Sequence, residues 1–389
     1  MRHWLFFLIM LTAAAVSVSA KTTTVYEPPF RPQSAEIMAQ GGSFNANGSG
    51  FYSLFSNPAS FADKDASLTV LSTSPWLYAL PTAAVVDSLG GMIEDPESGI
   101  IGLNDLLTGP GFGAGVSVGV GYVGNGLGLG LVNVADVFAQ GPNTLGVHVD
   151  SHITVGFIGG FALPVRLGPV TLKIGGAFRP MYRVHVPELG IGTFARLLGD
   201  DSDGIQINEP VYHGVGLALD AGTIVTLGPL SVGVALRDLF GTAFSYSEST
   251  VTELMDALKA VSLPEGGELV GDEVRFVVPM TVHAGATFHP NLGAVSRIID
   301  PAVHLNWEYP VTPGQDTGSL WTSLHAGTEV DFFSRIRLRA GINQGYLTAG
   351  AGIHLFFADF NVAYFGRELG SFAGSKQNQG ITAELALRF

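Results

Sequence analysis

The C-terminal end of the chain alternates apolar and polar residues, and this pattern constrains the fold more than any other feature. In the last ten residues, "GITAELALRF", the apolar face consists of Ile381, Ala383, Leu385, Leu387 and Phe389. The opposite face carries Thr382, Glu384 and Arg388. A period of two predicts a β-strand whose two faces meet different surroundings. A strand that ends on an aromatic residue is typical of an outer-membrane barrel, whose periplasmic girdle is aromatic.

Composition leaves two classes of fold open. The chain is 47% hydrophobic, contains 52 glycines and is only 13% charged, whereas soluble domains are about 25% charged. After residue 20 there is no run of about eighteen apolar residues, so the sequence predicts no transmembrane helix. A large soluble β protein and a membrane β-barrel both remain, and the loop pattern separates them.

The alternation recurs along the chain, and short connections alternate with long ones except after strand eleven, around Gln344-Gly345. Short periplasmic turns that alternate with longer external loops are typical of a closed bacterial barrel with an even number of strands. The fold class is therefore all-β, a 14-stranded antiparallel transmembrane β-barrel over 65–389 with short helices in its extracellular loops. The predicted strands are 65–73, 111–122, 125–138, 148–163, 168–185, 211–227, 229–240, 275–288, 300–310, 320–332, 336–343, 346–357, 360–367 and 379–389.

The N-terminus predicts export. Residues 1–20, "MRHWLFFLIMLTAAAVSVSA", have a basic start, an apolar centre and a small-residue end, which is the pattern of a cleaved signal peptide. We therefore expect the protein in the bacterial outer membrane. The absence of cysteine fits such a chain. The net charge of −14 argues against nucleic acid as a partner.

Four charged residues are predicted to face one another inside the barrel. If Phe333-Ser334-Arg335 closes the turn, the opposed pairs are Glu329 with Arg339 and Asp331 with Arg337. An arginine facing lipid at mid-depth costs roughly 2–4 kcal/mol, so this ladder points into the lumen. We favour a structural brace over a ligand-binding role.

Two long loops contain helical patterns, at about 191–199 and 250–262. The second opens with a capping box, Thr250-x-x-Glu253. Its apolar stripe is a candidate surface for ligand capture, although packing alone is the commoner explanation of such a stripe. The candidate capture residues are Leu254, Met255, Leu258 and Val261.

The sequence contains no pattern that predicts catalysis. "GVGYVG" at 119–124 matches a dinucleotide-binding motif, but an alternating strand follows it where a helix is required. The histidines of the inward faces lack a Ser or Asp partner at a recurrent spacing, and no His-Glu-x-x-His metal motif occurs. We therefore predict a protein that is not an enzyme and uses no cofactor and no metal.

The stretch ahead of the first strand carries the most specific resemblance. "GGSFNANGSGFYSLFSNPASFADKDASLTV" runs from a Gly-rich segment through Asn57, Pro58 and Ala59 into the barrel. Together with the strand count and the helical third and fourth loops, this order resembles the FadL-type outer-membrane transporters of long-chain fatty acids and other hydrophobic compounds. It is also similar to the divergent FadL-like proteins of spirochaetes. Ser60 stands where that family usually has Gly, and the loop at 74–110 is long.

The resemblance implies a hatch, formed here by residues 21–64, that folds back into the barrel and closes it. The residues support this, because the segment has too many aromatics for a disordered linker. Its aromatic side chains Phe51, Tyr52, Phe55 and Phe61 need an apolar interior. Pro58 fixes its own φ and restricts the residues before it, which suits a sharp turn into the wall.

The resemblance also implies that the substrate leaves sideways through a gap at a kink of strand three. The apolar face of that strand changes phase at Leu131, Val132, Asn133 and Val134. A β-bulge produces such a change and would open the ladder. A bulge that only ends the strand near the rim is the alternative interpretation.

The predicted function is passive uptake of long-chain fatty acids or other hydrophobic molecules. The expected partners are a hydrophobic small-molecule ligand and outer-membrane lipid, and we expect a monomer. Two alternatives belong to other classes: a FadL-like barrel that binds or shuttles surface proteins, and a general diffusion porin. A porin should conduct ions steadily, whereas a plugged barrel should conduct little.

Overall fold

The fold is described from a computed structural model. It describes residues 23–43, 45–46, 50–94, 96–143, 146–198, 206–260, 262–264, 267–271, 274–312 and 319–389. The predicted signal peptide, 1–20, lies outside the described residues. Among the described residues, no helix is both long enough and apolar enough to cross a membrane.

The described strands form one continuous antiparallel wall that closes on itself. Seventeen strands are described, of which β1 belongs to the N-terminal segment. Two wall strands are each interrupted and so count as two: β8 with β9, and β10 with β11. The wall of the described barrel therefore has fourteen strands. The last strand pairs with β2 and completes the ring. The fold class predicted from the sequence is confirmed. The bounds are β1 Thr23–Tyr26, β2 Ser67–Leu77, β3 Phe112–Gly124, β4 Leu127–Gln140, β5 His148–Leu167, β6 Val170–Gly190, β7 Pro210–Leu227, β8 Leu230–Arg237, β9 Thr242–Thr250, β10 Val274–Val278, β11 Met280–Phe288, β12 Ile299–Val311, β13 Leu324–Phe332, β14 Ile336–Asn343, β15 Tyr346–Leu355, β16 Ala358–Glu368 and β17 Gln377–Arg388.

One end of the barrel, the turn end, carries the short connections. They are 125–126, 168–169, 228–229, 289–298, 333–335 and 356–357, and β2 also begins at this end. Asn125 and Gly126 both have positive φ, 53° and 92°, as the favoured two-residue hairpin turn requires. The sequence placed this turn two residues too early. The opposite end, the loop end, carries the longer connections together with the two-residue turn at 344–345.

The outward face of the wall is apolar. Along β4 the outward residues Leu127, Leu129 and Leu131 are all exposed, while the glycines between them face inward. The same holds on β7, where Val215, Leu217 and Leu219 are exposed. An apolar exterior on a closed barrel suits the hydrocarbon core of a membrane, because every strand has its hydrogen-bonding partners within the wall.

The N-terminal segment occupies the interior. It begins with β1, which runs parallel to β10 near the loop end. It continues through α1, Ala35–Ala39, and through two 3-10 helices, Gly50–Phe55 and Pro58–Ala62, to the start of β2 at the turn end. The described residues between 27 and 62 are almost all buried, and they form one apolar cluster with inward residues of the wall. We call residues 27–62 the plug.

The α-helices in the connections between wall strands lie at the loop end. Those in the connection after β2 were not predicted: α2 Ala83–Glu94, α3 Pro96–Gly102 and α4 Asn104–Leu107. The other two, α5 Ile191–Leu198 and α6 Val251–Lys259, occur where the sequence predicts them. Thr250 and Glu253 form the capping box. Apolar residues of α2, α3, α4 and α6 meet in a second cluster at this end with residues of the rim.

Strand three, which is β4, is unbroken, so the predicted kink is wrong. Its ladders with β3 and β5 keep one register from Leu127 through Gln140. Leu131 faces outward, whereas Val132 and Val134 are buried in the interior cluster, and Asn133 between them is partly exposed. The change in the sequence pattern has another cause: the inward face of β4 becomes apolar because the plug packs against it.

The wall is instead interrupted in its seventh strand, which consists of β8 and β9. The predicted range of 229–240 covers only β8, and the strand resumes as β9 after residues 238–241. Leu236 pairs with Ala221, whereas Phe244 pairs with Gly216. The wall strand formed by β8 and β9 therefore carries extra residues relative to its neighbour β7. We call residues 238–241 the bulge. Strand eight breaks beside it at Pro279, which has no N–H to donate.

Candidate functional site

Asn57 anchors the plug to the wall. Its Nδ2 donates to Asn45 Oδ1 at 2.9 Å, to the Thr223 carbonyl at 3.1 Å and to the Val234 carbonyl at 3.2 Å. Its Oδ1 accepts from the Ala59 backbone N–H at 3.0 Å and so caps the second 3-10 helix. Asn57 and Ala59 are fully buried. One side chain thus joins two parts of the plug to β7 and β8.

Glycines in the wall make room for this anchor. A Cβ at Gly222 would lie 2.0 Å from Asn57 Oδ1, and a Cβ at Gly175 would lie 2.5 Å from the Pro58 carbonyl oxygen. Real Cβ atoms essentially never approach other atoms within 3.0 Å. The glycine content of the inward faces therefore serves close docking of the plug at these positions.

The plug aromatics form a buried floor across the lumen. Phe51 meets Tyr52 and Phe55 edge to face, with ring centroids 5.4 and 5.9 Å apart. Phe30 extends the cluster to Phe55 at 5.8 Å. The Tyr52 hydroxyl lies within hydrogen-bond distance of Ser72 and Ser74 on β2. This geometry is favourable for aromatic pairs and adds to the burial of their area.

Phe61 completes this floor from the second 3-10 helix. It is buried against Gly128 and Gly160, whose added Cβ atoms would each fall within 2.9 Å of its ring. The aromatic residues expected in a hatch, Phe51, Tyr52, Phe55 and Phe61, thus all lie inside the barrel.

Charged side chains of the wall fasten α1. Glu36 contacts Arg388 at 3.4 Å, and Arg388 also pairs with Asp359 and Glu384. Gln40 donates to Glu329 at 3.2 Å. The network joins the plug to three strands near the turn end.

The four residues of the charge ladder lie inside the barrel in the register expected from the turn. Arg339 pairs with Glu329, and Arg337 with Asp331 at 3.2 Å. Since Glu329 also accepts from Gln40, the ladder contacts the plug as well as bracing the wall.

A cavity of about 460 Å³ lies between the plug and residues of the wall strands β8, β10 to β13 and β16. Pockets of this size hold drug-sized ligands. Phe30, Phe55, Val278, Pro279 and Pro310 give it apolar surface. Its polar lining includes Arg31, Arg237, Asp238, His283, Glu308, His325 and Glu368.

The charges of the cavity are largely paired. Arg31 contacts Glu308 at 2.8 Å, His283 contacts Glu308 at 3.3 Å, and Ser43 also donates to Glu308. No pattern in the sequence indicated that these residues meet in a site. Alternation alone predicts that Glu308 and His283 face inward, but it does not indicate which plug residue they meet.

Asp238 of the bulge and Arg237, the last residue of β8, border the same cavity. Arg179 binds Asp220 at 2.7 Å and Asp238 at 2.9 Å, and all three side chains are buried. Arg237 donates to the Ser56 carbonyl of the plug at 2.7 Å. Phe240, at the outer side of the bulge, is 90% exposed. The interruption therefore connects the plug, the cavity and the outer surface.

The candidate capture residues of α6 do not share one environment. Leu254 is buried in the loop-end cluster, and Met255 packs against that cluster. Leu258 is 54% exposed. Val261 lies outside the described residues. Packing thus accounts for Leu254, and Leu258 keeps a free apolar surface.

Comparison with known proteins gives similarity of fold only. No family model and no curated protein matches the chain. The crystal structure of the Pseudomonas putida toluene transporter TodX is similar over 94% of this chain and 98% of that chain, with 13% identity and a TM-score of 0.47. The Ralstonia pickettii toluene transporter TbuX is similar over 91% and 97%, with 13% identity and a TM-score of 0.46.

The translocator domain of the autotransporter NalP from Neisseria meningitidis is similar over 83% of this chain and 87% of that chain, with 11% identity and a TM-score of 0.37. Each of these TM-scores is below 0.5, so the similarity transfers neither a ligand nor a mechanism.

Proposed function

We propose that this chain is a FadL-type outer-membrane transporter for passive uptake of a hydrophobic small molecule. The observation that carries the proposal is the cavity of about 460 Å³, which has the aromatic plug as one wall and the interrupted strands as another. A ligand in this cavity contacts both the element that closes the lumen and the place where the wall ladder is broken. Such an arrangement lets one ligand affect both closure and exit.

The lining favours a mostly apolar ligand with a polar head. Phe30, Phe55 and Pro279 offer apolar contact, while Arg31 and His283 offer hydrogen-bond donors. Long-chain fatty acids have this chemistry. Because Arg31 already pairs with Glu308, a carboxylate head would have to compete for it.

Exit is proposed at the bulge rather than at β4. Val278 and Pro279 of strand eight lie against the cavity, and the ladder on the neighbouring strand is interrupted at 238–241. Outside it, Leu217, Leu219 and Phe240 present apolar surface. Movement of the plug would release Arg237 from the Ser56 carbonyl and loosen the inner side of the bulge.

Capture is proposed at the exposed face of α6. Leu258 lies near the loop end and offers apolar surface to a ligand that arrives from outside. The loop-end cluster beneath it, which includes Leu254, holds the helix in place.

The experiment compares two activities of the full-length chain and of a variant that lacks residues 40–60. In a bacterial host without its own outer-membrane fatty-acid transporter, the full-length chain should restore uptake of a labelled long-chain fatty acid. In planar bilayers it should conduct little, whereas the deletion variant should conduct steadily because the plug is incomplete. Folding of both proteins is checked by the gel mobility shift of unheated barrels.

Two results would replace the proposal with one of the other classes. Steady conductance by the full-length chain would indicate a diffusion porin. Absent fatty-acid uptake, together with capture of a surface protein through the loops, would indicate a binding or shuttle barrel.

A further inference from the structure

A cluster of two histidines and two carboxylates lies at the loop end, and none of its four residues lines the cavity. His152 on β5 and His185 on β6 are directly opposed in the ladder, and their rings stack with centroids 4.1 Å apart. Asp150 precedes His152 by two residues, on the same face of β5. Glu27 follows β1 and reaches the cluster from the N-terminal segment.

Asp150 brings the two imidazoles to one point. Its Oδ1 lies 3.1 Å from His152 Nε2 and 3.2 Å from His185 Nε2. In a tetrahedral zinc site with metal–ligand bonds of about 2.0–2.1 Å, ligand atoms lie about 3.3 Å apart. Both distances are therefore already close to the spacing that a bound metal ion imposes.

Glu27 holds His185 in the required orientation. Its Oε1 lies 3.0 Å from His185 Nδ1, so an Nδ1–H that donates to Glu27 leaves the Nε2 lone pair facing Asp150 and His152. Glu27 is itself fixed by Arg183 at 2.9 Å and by the Tyr246 hydroxyl at 2.8 Å. Histidine ligands of metals almost always donate their second N–H to such a partner.

His152 is poorly explained as a structural residue. Among the described residues, its buried Nδ1 has no hydrogen-bond partner. Its Nε2 faces Asp150, whose side chain is 56% exposed and would receive hydrogen bonds from water in any case. A buried nitrogen without a partner costs about 1–3 kcal/mol. Coordination through Nε2 would leave Nδ1 unpaired, but it would give His152 a stronger bond than its single hydrogen bond to an exposed carboxylate.

We propose that Asp150, His152 and His185 bind one divalent zinc ion, with Glu27 as the positioning carboxylate. Two imidazoles and a carboxylate form a ligand set that zinc accepts, and the exposed side of Asp150 leaves room for a water as fourth ligand. Donor atoms of Glu27, His152 and His185 also lie within 4.8 Å of one another. Since Glu27 belongs to the plug segment, zinc would fasten the beginning of the plug to β5 and β6.

The test uses the full-length protein with an affinity tag that contains no histidine. After treatment with EDTA, it is titrated with ZnCl₂ by isothermal calorimetry and by thermal shift. The expected result is one zinc ion per chain and a higher Tm. His152→Ala should abolish the calorimetric signal, and Glu27→Gln should weaken binding about 10–100-fold, the usual effect of losing such a partner.

His354→Ala is the matched control, because this histidine contacts Asp359 near the turn end, away from the cluster. It should bind zinc like the unchanged chain. Absence of zinc binding would overturn the proposal, and so would binding that His152→Ala leaves intact. Folding of each variant is verified by gel mobility before titration, and none of the outcomes depends on uptake activity.

Discussion

Asn57 donates to Asn45 across 2.9 Å, and this hydrogen bond joins two plug segments that are separated in sequence by the 3-10 helix at Gly50–Phe55. The same amide group reaches backbone carbonyls of β7 and β8. The position of the plug inside the barrel therefore depends on a buried polar contact. Buried polar groups of this kind are expensive to leave unpaired, which makes the anchor a sharp target for mutation.

Asn57→Ala should loosen the plug without unfolding the barrel. The change leaves Asn45 Oδ1, two strand carbonyls and the Ala59 N–H without this partner. The expected cost is about 1–3 kcal/mol. The loosened plug should cause frequent conducting events in planar bilayers. The control Asn208→Ala, at an exposed position near the loop end, should conduct as little as the unchanged chain. Equal conductance in all three proteins would contradict the anchoring role.

Gly222→Ala should displace the plug from the opposite side. The added Cβ would come within 2.0 Å of Asn57 Oδ1, so either the wall or the plug must move. Overpacking of this kind costs about 1–3 kcal/mol. Protease sensitivity of the N-terminal segment should rise. Gly192→Ala serves as the control, because its Cβ would meet nothing within 4 Å. A plug that stays protected from protease in Gly222→Ala would show that the close approach is unimportant.

Deleting Leu239 and Phe240 should close the proposed exit. The deletion removes the two extra residues that strand seven carries relative to strand eight. Uptake of the labelled fatty acid should fall strongly, although the protein should still reach the membrane folded. A deletion of Ala294 and Val295, in the exposed turn at 289–298, should leave uptake unchanged. If the bulge deletion transports normally, exit occurs elsewhere.

Leu258→Gln should slow the first step of uptake. It removes an exposed apolar surface on α6 while leaving the packed face with Leu254 in place. The initial rate at low ligand concentration should fall, whereas the rate at saturating ligand should change little. Leu292→Gln, an exposed leucine at the turn end, is the comparison. Identical rates for both variants would argue against capture by α6.

Acidification should weaken the attachment of α1 through Glu36. Burial opposes ionisation of this carboxyl, but the charges of Arg388, Arg339 and Arg337 outweigh burial and hold its pKa below the ordinary 4.5. A lowered pKa in the folded state contributes stability above the ordinary pKa, and this contribution is lost as the pH falls through the lowered value. Glu36→Gln should therefore lower Tm at pH 7.

The Tm difference between Glu36→Gln and the unchanged chain should shrink as the pH falls below 4.5. Glu268→Gln, at an exposed position, should show no such trend. A difference that stays constant down to low pH would show that the charge of Glu36 does not fasten the plug.

The sequence by itself determined the barrel, because a period of two specifies both the strand and the face that each side chain takes. From the same rule, Glu329, Asp331, Arg337 and Arg339 could be assigned to the lumen, and the turn at Phe333 set their pairing. The aromatic residues around Asn57, Pro58 and Ala59 also indicated a need for an apolar interior. These features depend on neighbours that are close in sequence or joined by one short turn.

Only the tertiary structure decided where the wall is broken. The apparent phase change at Val132 and Val134 comes from contact with the plug. The actual interruption at 238–241 depends on Arg179 of β6 and Asp220 of β7, which meet Asp238 of the bulge. The pairing of His152 with His185 likewise depends on the register between β5 and β6, and Glu27 arrives from far along the chain. Local patterns cannot specify such contacts, since they arise when a closed wall folds around its own N-terminal segment.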